Sequence, residues 1–341
     1  MRPIKTLGLL GTGVIGGGWA ARALHCGFDV VASDINPAME EWIRGAVENA
    51  APALKALTAD ADMPPSGTLS FTTDPEDMAF RADFIQENVP ERLDIKQKIL
   101  AQVSAVAPAD VVIASSTSGI MPSEIQTALH EQERFLVGHP FNPVYLLPLV
   151  EIVGGKVTSP EAISAAREFY LDIGMHPLVV EKEIPGHISD RLQEAMWREI
   201  LHMVAEGEAT TDELDQAIVY GPGMRWACMG TNMVFHIAGG EAGMRHMLHQ
   251  FGPALKWPWT RLEAPELTED LIDRMVEGTQ AQAGGRSIRE LEQIRDECLV
   301  AMQRVFKKYD MASGATLNSF ERRIAEKAGA EKSDAEKPGG A

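Results

Sequence analysis

The first half of the chain alternates short apolar runs with longer segments in which apolar residues recur at helical spacing. From Lys5 to about Lys182 the short runs are rich in β-branched residues, which is typical of strands joined by helices in βαβ units. Helices are predicted between the strands, for example over Arg92–Val106 and Pro160–Ile173. The predicted strands are Leu7–Leu10, Val30–Asp34, Phe84–Glu87, Val111–Ser115, Phe135–Gly138, Leu149–Val153 and Leu178–Val180. This pattern predicts an α/β fold built on a doubly wound sheet.

The pattern changes at Ile184-Pro185-Gly186, after which no clear strand follows. The longest helical periods beyond this point are Ser189–Ala205, Glu266–Val276 and Ile288–Tyr309. We therefore expect a sheet-containing domain over residues 1–184 and an all-helical domain over residues 185–322. Residues 323–341 are polar and rich in Lys, Glu, Ala and Gly. Because so few apolar residues cannot offset the entropy of ordering, a disordered tail is predicted there.

The composition is that of a folded protein of two domains rather than of a disordered or fibrous chain. The 341 residues are 45% hydrophobic and 23% charged, and a chain of this length exceeds what a single core usually supports. The formal net charge is -18, from 49 acidic and 31 basic residues. Because so acidic a surface repels phosphate polyanions, we expect no nucleic-acid partner.

Cysteine spacing and hydropathy bear on the compartment. Cys26, Cys228 and Cys298 lie far apart and form neither a Cys-x-x-Cys motif nor a disulfide framework. Reduced thiols and no bound metal are therefore expected. No run of about 18 apolar residues predicts a membrane span, and Met1-Arg2-Pro3 leads into a strand-like run without the apolar stretch of a signal peptide. We expect a cytoplasmic protein with no membrane partner.

A glycine-rich turn stands between the first predicted strand and the first predicted helix. Leu7–Leu10 runs into Gly11-Thr12-Gly13-Val14-Ile15-Gly16, and a helix over Ile15–Cys26 follows at once. In this position Gly-x-Gly-x-x-Gly gives a tight turn, close approach to a pyrophosphate and close packing of helix on sheet. The free N–H groups and positive dipole end of the helix then face the phosphates. The turn predicts a dinucleotide-binding Rossmann fold rather than a glycine-rich loop that binds nothing.

Asp34 indicates which dinucleotide is bound. It ends the second predicted strand, 18 residues after Gly16, where a carboxylate can accept hydrogen bonds from both ribose hydroxyls of an adenosine. A 2′-phosphate would meet its negative charge, and Ser33–Met39 contains no Arg or Lys to relieve the repulsion. The predicted cofactor is therefore NAD.

Glu151 is unusual because a carboxylate within the apolar strand Leu149–Val153 is costly unless a charged or donating group meets it. His139 stands twelve positions earlier, before the turn Pro140-Phe141-Asn142-Pro143. A strand, a Pro-rich turn and a return strand would bring the two side chains together. A carboxylate on one imidazole nitrogen stabilises the imidazolium, so the other nitrogen can take a proton from an alcohol. The pair predicts a general base for alcohol oxidation, although His139 alone would be interpreted as a structural histidine.

These motifs together resemble those of the 3-hydroxyacyl-CoA dehydrogenase superfamily, over roughly Lys5 to Tyr309. The shared motifs are Gly11–Gly16 with Asp34, Glu87-Asn88-Val89-Pro90-Glu91, Ser115-Ser116-Thr117-Ser118, His139-Pro140-Phe141-Asn142-Pro143 with Glu151, and Ile184-Pro185-Gly186. The resemblance implies an NAD-dependent dehydrogenase of 3-hydroxy compounds with a Rossmann domain and a helical domain. It also implies a homodimer formed through the helical domain.

The resemblance assigns roles to individual residues. It implies that His139 and Glu151 form the catalytic dyad. It implies that Ser118 hydrogen-bonds the reacting oxygen. It places Glu91 and Lys96 beside the nicotinamide.

One departure from the family concerns the CoA group. The family's acyl-CoA enzymes carry a Lys-rich patch after the second strand, whereas Asn36–Pro65 here holds two basic residues, Arg44 and Lys55. The acidic residues of the same segment are Glu40, Glu41, Glu48, Asp60 and Asp62. Because a polyanionic tail would find no favourable field there, CoA thioesters are disfavoured.

A second departure is Asp190, which stands where the family usually has an Asn near the catalytic His. Its negative charge would stabilise a cation, either protonated His139 or a group of the substrate. Aromatic faces commonly hold quaternary ammonium groups, although each Trp is also suited to core or dimer packing. The Trp residues of the helical domain are Trp197, Trp226, Trp257 and Trp259. Asp190 and these Trp residues are thus consistent with a cationic substrate, while protonated His139 stays open as the cation that Asp190 meets.

The resemblance, which extends over Gly223–Gly230 and Lys256-Trp257-Pro258-Trp259, implies that the substrate is L-carnitine. L-carnitine is a small 3-hydroxy acid with a trimethylammonium group, so this one molecule accounts for both departures. The candidate substrate contacts are Phe141, Asn142, Asp190, Trp226 and Met229. Two alternatives stay open, a dehydrogenase of L-gulonate, an acid with a neutral polyol tail, and a non-catalytic NADH-binding or crystallin-like protein. The intact dyad argues against the second, since a binding protein has no need of a buried charged pair.

Overall fold

The computed structural model describes residues 3–227, 230–239, 241, 243–251, 253–254, 257–261, 268–271, 273 and 283–335. The chain divides into two compact units, one of Met1–Asp190 with Asp296–Ala341 and one of Arg191–Arg295. The first unit contains the sheet, and the second is helical where it is described. The predicted α/β class with a helical region after it is confirmed. The residues from Asp296 onward belong to the first unit, however, whereas the sequence pattern assigns most of them to the second domain.

One eight-stranded sheet forms the centre of the first unit. Its strands are β1 (Thr6–Leu10), β2 (Asp29–Ser33), β3 (Leu69–Thr72), β4 (Phe84–Glu87), β5 (Val112–Ser115), β6 (Phe135–Pro140), β7 (Leu149–Gly154) and β8 (His176–Val180). They lie in the order β3-β2-β1-β4-β5-β6-β7-β8. Neighbouring strands are parallel except β6 and β7, which are antiparallel. The chain order reverses between β1 and β4, and doubly wound sheets bind ligands at the carboxyl ends of strands beside such a reversal.

The seven predicted strands are all present, and no end differs from its prediction by more than two residues. The extension of β6 to Pro140 places His139 within the sheet. The sequence pattern does not predict β3. Its four residues are only partly buried and form the sheet edge, so they lack the apolar run that marks the other strands.

Helices cover both faces of this sheet. They are α1 (Val14–His25), α2 (Met39–Leu57), α3 (Pro75–Arg81), α4 (Leu93–Val106), α5 (Pro122–Gln126) and α6 (Pro160–Asp172). Consecutive strand residues point to opposite faces. Accordingly, Leu9 and Phe84 belong to one buried cluster and their neighbours Leu10 and Ile85 to another. An apolar layer therefore lies on each face, as a sheet covered on both sides requires.

The regular secondary structure described in the second unit is helical. Its helices are α7 (Ser189–Ala205), α8 (Thr211–Val219), α9 (Pro222–Trp226), α10 (Thr231–Ala238) and α11 (Gly243–Phe251), and α12 (Ile288–Lys308) extends into the first unit. A small core packs Leu201 of α7 with Leu214 of α8 and with Leu271. The helical period predicted over Glu266–Val276 lies mostly outside the described residues. Among the helices that are described, none is long and apolar enough to cross a membrane.

The C-terminal helix α13 (Ala312–Ala335) packs in the first unit. Its buried apolar residues are Leu317, Phe320 and Ile324. Lys327 Nζ also binds Asp172 Oδ2 of α6 at 2.7 Å. Residues 323–335 are therefore helical, which corrects the predicted disordered tail. The reason is that three apolar residues at helical spacing suffice to hold a mostly polar helix on a large core. Residues 336–341 lie outside the described range.

Candidate active site

His139 and Glu151 lie opposite each other on neighbouring antiparallel strands, as the sequence predicts. The register of β6 and β7 pairs the two residues directly, and such pairs bring side chains on one face into contact. Nδ1 of His139 lies 3.0 Å from Oε2 of Glu151. His139 is 4% exposed and Glu151 is fully buried. The described residues thus contain a buried imidazole–carboxylate pair.

Glu151 is also held by the beginning of α7. Its Oε1 accepts hydrogen bonds from the backbone N–H groups of Ile188 and Ser189, both at 3.0 Å. Burial raises the pKa of Glu151, but the hydrogen bonds from His139 and these two amides outweigh burial and hold the pKa below its ordinary value. Because an ionised carboxylate only accepts, Nδ1 of His139 donates to it. Nε2 is therefore the nitrogen that can take a proton from a hydroxyl.

A second carboxylate faces the other side of the imidazole. Oδ2 of Asp190, in the first turn of α7, lies 3.4 Å from Nε2 of His139. The ring thus lies between two carboxylates, and both stabilise the positive charge that the ring gains with a proton. The sequence leaves two partners open for Asp190, protonated His139 and a group of the substrate. In the structure the carboxylate of Asp190 lies beside His139.

Ser118 lies on the loop after β5, and Glu91 holds this loop. Oε1 of Glu91 accepts hydrogen bonds from the N–H groups of Ser118 at 3.1 Å and Gly119 at 3.3 Å, and from the hydroxyl of Thr117. Burial raises the pKa of Glu91, but the Thr117 hydroxyl and the charge of Lys96 hold it below its ordinary value. Ser118 itself is exposed. Its hydroxyl is therefore open to a ligand.

Lys96 is buried rather than open to a ligand, with 1% of its surface exposed. Its Nζ donates to Glu87 Oε1 at 2.8 Å and to the Val89 carbonyl at 3.0 Å, and lies 3.4 Å from Glu91 Oε2. Burial raises the pKa of Glu87, even though Lys96 opposes the shift. Lys96 therefore supports Glu91 from within the protein, whereas the resemblance places it beside the nicotinamide. Glu87, to which the sequence analysis assigns no role, is the partner that holds Lys96 there.

Gln86 on β4 is a further residue that the sequence analysis misses. Its Nε2 donates to the Gly138 carbonyl at 3.0 Å and to the Ser116 hydroxyl at 2.7 Å. Its Oε1 accepts a hydrogen bond from the Tyr170 hydroxyl at 2.7 Å. Buried polar groups are costly unless they are hydrogen-bonded, and here the bonds fix β6, next to His139, to the loop after β5.

The turn over Gly11–Gly16 fits the phosphates of a dinucleotide. Gly11 has a φ of +88°, which favours glycine. A Cβ on Gly16 would lie 2.3 Å from the Gly11 carbonyl oxygen, whereas a Cβ on Gly13 would meet nothing within 4 Å. Gly13 is the N-cap of α1, and it offers no side-chain hydrogen bond to the first turn. Open space thus adjoins free helical N–H groups, an arrangement that suits a pyrophosphate and therefore NAD.

Asp34 lies directly after β2, beside this turn. Its Oδ2 accepts hydrogen bonds from the N–H and hydroxyl of Thr12 at 3.2 and 3.1 Å, and its Oδ1 accepts one from the N–H of Asn36 at 3.1 Å. An ionised carboxylate has further lone pairs, so it can still accept from ribose hydroxyls. Asp34 therefore also braces the turn, a role that the sequence analysis does not predict. Of the other predicted cofactor positions, Val14 is exposed and Ile15 is half-buried.

The predicted substrate contacts fall in different parts of the chain. The ring of Phe141 meets that of His139 edge-on, with centroids 5.2 Å apart. Asn142 is exposed in the turn that follows. Trp226 ends α9 in the second unit and is 40% exposed, and Met229 lies outside the described residues. Phe141 is therefore an aromatic side chain in contact with the base.

Comparison with known proteins identifies the family. The profile of the 3-hydroxyacyl-CoA dehydrogenase NAD binding domain matches residues 6–184, and that of the C-terminal domain matches residues 186–286. An L-carnitine dehydrogenase of a Pseudomonas species is 57% identical over 301 residues, which cover 88% of this chain and 93% of that protein. The L-carnitine dehydrogenase of Pseudomonas aeruginosa is 56% identical, with coverage of 88% and 93%.

A solved structure shows the same fold. It is that of 5-formyl-3-hydroxy-2-methylpyridine 4-carboxylic acid 5-dehydrogenase, an NAD+-dependent dismutase. That protein is 27% identical in sequence, and the two structures superpose with a TM-score of 0.75. The match covers 89% of this chain and 99% of that protein. The chain therefore belongs to the 3-hydroxyacyl-CoA dehydrogenase family.

Proposed function

We propose that this protein oxidises the 3-hydroxyl of L-carnitine to 3-dehydrocarnitine with NAD, using His139 as the general base. The observation that carries the proposal is the imidazole of His139 between Glu151 and Asp190. His139 lies near the carboxyl end of β6 and the Gly11–Gly16 turn follows β1, so both lie at the edge of the sheet where these parallel strands end. Relatives more than 50% identical to this chain are L-carnitine dehydrogenases, which supports the choice of substrate.

The hydroxyl proton passes to Nε2 of His139. Glu151 holds the N–H on the opposite side of the ring and stabilises the imidazolium that forms. As the proton leaves, the carbinol carbon loses a hydride and the C–O bond becomes a carbonyl. NAD held at the Gly11–Gly16 turn and Asp34 would supply the acceptor for this hydride. One proton and one hydride thus leave each substrate molecule.

Ser118 supports the same step at the reacting oxygen. The backbone N–H of Ser118 donates to Glu91 Oε1 at 3.1 Å, which holds Ser118 in place. The hydroxyl of Ser118, an exposed residue, can donate a hydrogen bond to the reacting oxygen. Donors that are held in place before charge develops on an oxygen lower the barrier without reorganisation. Lys96 and Glu87 contribute by holding Glu91.

The surface over Asn36–Pro65 argues against a CoA thioester as substrate. Arg44, one of its two basic residues, already binds Glu40 at 2.7 Å. Lys307 of α12 contacts this surface, but its Nζ lies 2.9 Å from Asp60 Oδ2, so its charge is neutralised as well. A polyanionic CoA tail therefore meets little favourable field.

Asp190 favours a cationic substrate. In carnitine, one methylene separates the trimethylammonium nitrogen from the carbinol carbon. A hydroxyl that meets Nε2 of His139 therefore brings the cation into the field of Asp190, whose carboxylate lies 3.4 Å from that nitrogen. A quaternary ammonium has no N–H to donate, so a carboxylate attracts it by charge and not by a hydrogen bond. The neutral tail of L-gulonate would gain nothing from this carboxylate.

Initial rates of NADH formation test the proposal. With saturating NAD, we expect kcat/KM for L-carnitine to exceed that for L-gulonate or 3-hydroxybutyryl-CoA by at least about a hundredfold. Turnover of L-gulonate in preference to L-carnitine would instead identify a dehydrogenase of polyhydroxy acids. NADH binding without turnover of any 3-hydroxy acid would identify a non-catalytic binding protein.

We further infer a homodimer formed through the second unit. The described helices of this unit expose many large apolar side chains, as interfaces commonly do. They include Val219, Tyr220, Met224, Met233, Phe235, Ile237, Leu248 and Phe251. Light scattering after gel filtration should give twice the chain mass of 37.1 kDa. A particle of one chain mass would reject the dimer.

A further inference from the structure

We propose that His187 is a positioning residue of this site, which as a neutral imidazole holds the loop of Ser118 against the His139–Glu151 pair. The inference rests on the proposed function, and neither the shared motifs nor the relatives assign His187 a role. Its side chain is fully buried. The ring centroids of His187 and His139 are 5.4 Å apart. His187 therefore belongs to the immediate surroundings of the base.

His187 combines two unfavourable features. Its φ is +49°, in the left-handed region that favours glycine. Its Nδ1 is buried and has no hydrogen-bond partner among the described residues. Strained backbone and unpaired buried polar atoms both concentrate at functional sites. A phenyl ring would avoid the unpaired nitrogen, so the advantage of the imidazole lies in its other nitrogen.

The other nitrogen identifies the tautomer. Nε2 lies 3.2 Å from the carbonyl oxygen of Thr117, and because a carbonyl oxygen only accepts, Nε2 carries the hydrogen. Burial lowers the pKa of His187 below its ordinary value and outweighs this hydrogen bond. The charged and titratable groups that face the ring are His139, Glu151 and Asp190. The ring is thus neutral and donates one hydrogen bond to Thr117.

Two segments of the site meet at His187. Thr117, which receives its hydrogen bond, directly precedes Ser118. The two residues that follow His187 donate their backbone N–H groups to Glu151, both at 3.0 Å. The left-handed turn at His187 aims these amides at the carboxylate. One residue therefore sets the spacing between the dyad and the loop that holds the reacting oxygen, and small displacements of such groups cost large factors in rate.

Two substitutions of His187 separate the hydrogen bond from the packing of the ring. In H187Q the amide N–H can replace Nε2 as donor to Thr117, whereas H187F keeps the ring volume and loses the donor. We expect H187F to lower kcat for L-carnitine at least about tenfold with KM for NAD within about twofold of the parent, and H187Q to stay within about threefold. Equal losses of kcat in the two variants, or a matching rise in KM for NAD, would overturn the proposal.

His25 provides the matched control. His25 is the last residue of α1, and its Nε2 lies 2.8 Å from the Thr58 hydroxyl. H25Q therefore makes the same chemical change to another His–Thr contact. We expect H25Q to retain the parent kcat. A loss in H25Q as large as that in H187F would show that the effect is a general loss of stability and would count against the proposal.

A second measurement uses the unaltered protein and does not depend on turnover. Nitrogen NMR of ¹⁵N-histidine-labelled protein reports the tautomer, and the His187 signals are those missing from H187Q. We expect a protonated Nε2 and an unprotonated Nδ1 from about pH 7 to pH 8. A protonated Nδ1 in that range would overturn the proposal. Absence of carnitine oxidation by the parent would instead contradict the proposed function alone, because the tautomer is measured without substrate.

Discussion

At the scale of single residues, the charge of Glu151 is what makes His139 an effective base. Glutamine in its place can still accept the hydrogen bonds of α7, but it cannot stabilise an imidazolium by charge. We expect E151Q to lower kcat for L-carnitine by at least about a hundredfold. NADH affinity should stay near that of the parent, because the proposed cofactor-binding turn Gly11–Gly16 follows β1, whereas Glu151 lies on β7. Steady-state rates and fluorescence titration with NADH measure the two effects.

Asp29 supplies the control for this substitution. Its carboxylate, at the amino end of β2, accepts two hydrogen bonds from Thr68 at 2.8 and 2.6 Å. D29N thus also exchanges a hydrogen-bonded carboxylate for an amide, and it should turn over carnitine like the parent. Parent-like rates in E151Q would remove the dyad from the mechanism.

Asp190 separates the recognition of the cation from the chemistry of the base. D190N keeps the shape of the side chain and removes its charge, which lies 3.4 Å from Nε2 of His139. We expect KM for L-carnitine to rise about tenfold, with little change for an analogue whose tail is uncharged because carbon replaces the nitrogen. The acid limb of the pH–rate profile should move to lower pH, because the imidazolium loses one of two counter-charges. Unchanged KM and pH profile together would refute both roles.

What the sequence reveals at this scale depends on whether a residue contradicts its local pattern. Glu151 is predictable because it interrupts an apolar strand, and His139 follows from it as the partner. Glu87 is an anomaly of the same kind at the end of β4, so the same reasoning could have found it. His187 has no such signal, because its role depends on its backbone conformation and on Thr117, 70 positions away.

At the scale of elements, the glycine turn before α1 makes a prediction with an internal control. A Cβ at position 16 would lie 2.3 Å from the Gly11 carbonyl oxygen, so G16A must displace α1 from β1. We expect G16A to lower the thermal unfolding midpoint and to abolish NADH binding. G13A adds a methyl group where nothing lies within 4 Å, so it should keep the parent midpoint yet bind NADH more weakly. The opposite order of midpoints would contradict this description of the turn.

Elements with a strong apolar period were predictable, and elements stabilised by distant partners were not. The strand β3 is half-buried at the sheet edge, and its place depends on pairing with β2. The end of α13 is polar in sequence, and Ile324 becomes a core residue only through contact with the first unit. In both cases tertiary packing overrides a weak local preference.

At the scale of the whole molecule, the division into a sheet domain and a helical region could be predicted, but the course of the C-terminal segment could not. The Gln303 side chain donates to the Leu146 carbonyl at 3.0 Å, across 157 positions of sequence. Val300 joins the core beneath the sheet in the same way. Helical periodicity shows that such a segment is amphipathic, but it does not show which core receives it.

Acid should destabilise the whole molecule through its bound carboxylates. The pKa values of Glu151 and Glu91 lie below the ordinary 4.5. A carboxyl group with a lowered pKa stabilises the folded state above its unfolded pKa, and this stabilisation is lost as pH falls through the folded pKa. We expect the thermal unfolding midpoint to decrease as the pH is lowered below about 4.5. The decrease should be less steep in E151Q than in the parent. Parallel midpoint curves would contradict a stabilising role for ionised Glu151.

Hydride transfer from carnitine is tested most directly by following the hydrogen on C3 of the substrate. With L-carnitine deuterated at C3, mass spectrometry of the reduced cofactor should find one deuterium per NADH. The amount of 3-dehydrocarnitine formed should equal the amount of NADH. In H139A the initial rate at which both products form should fall at least about a hundredfold. NADH that carries no deuterium, or no NADH from L-carnitine at all, would contradict the assignment of this protein as a carnitine-oxidising enzyme.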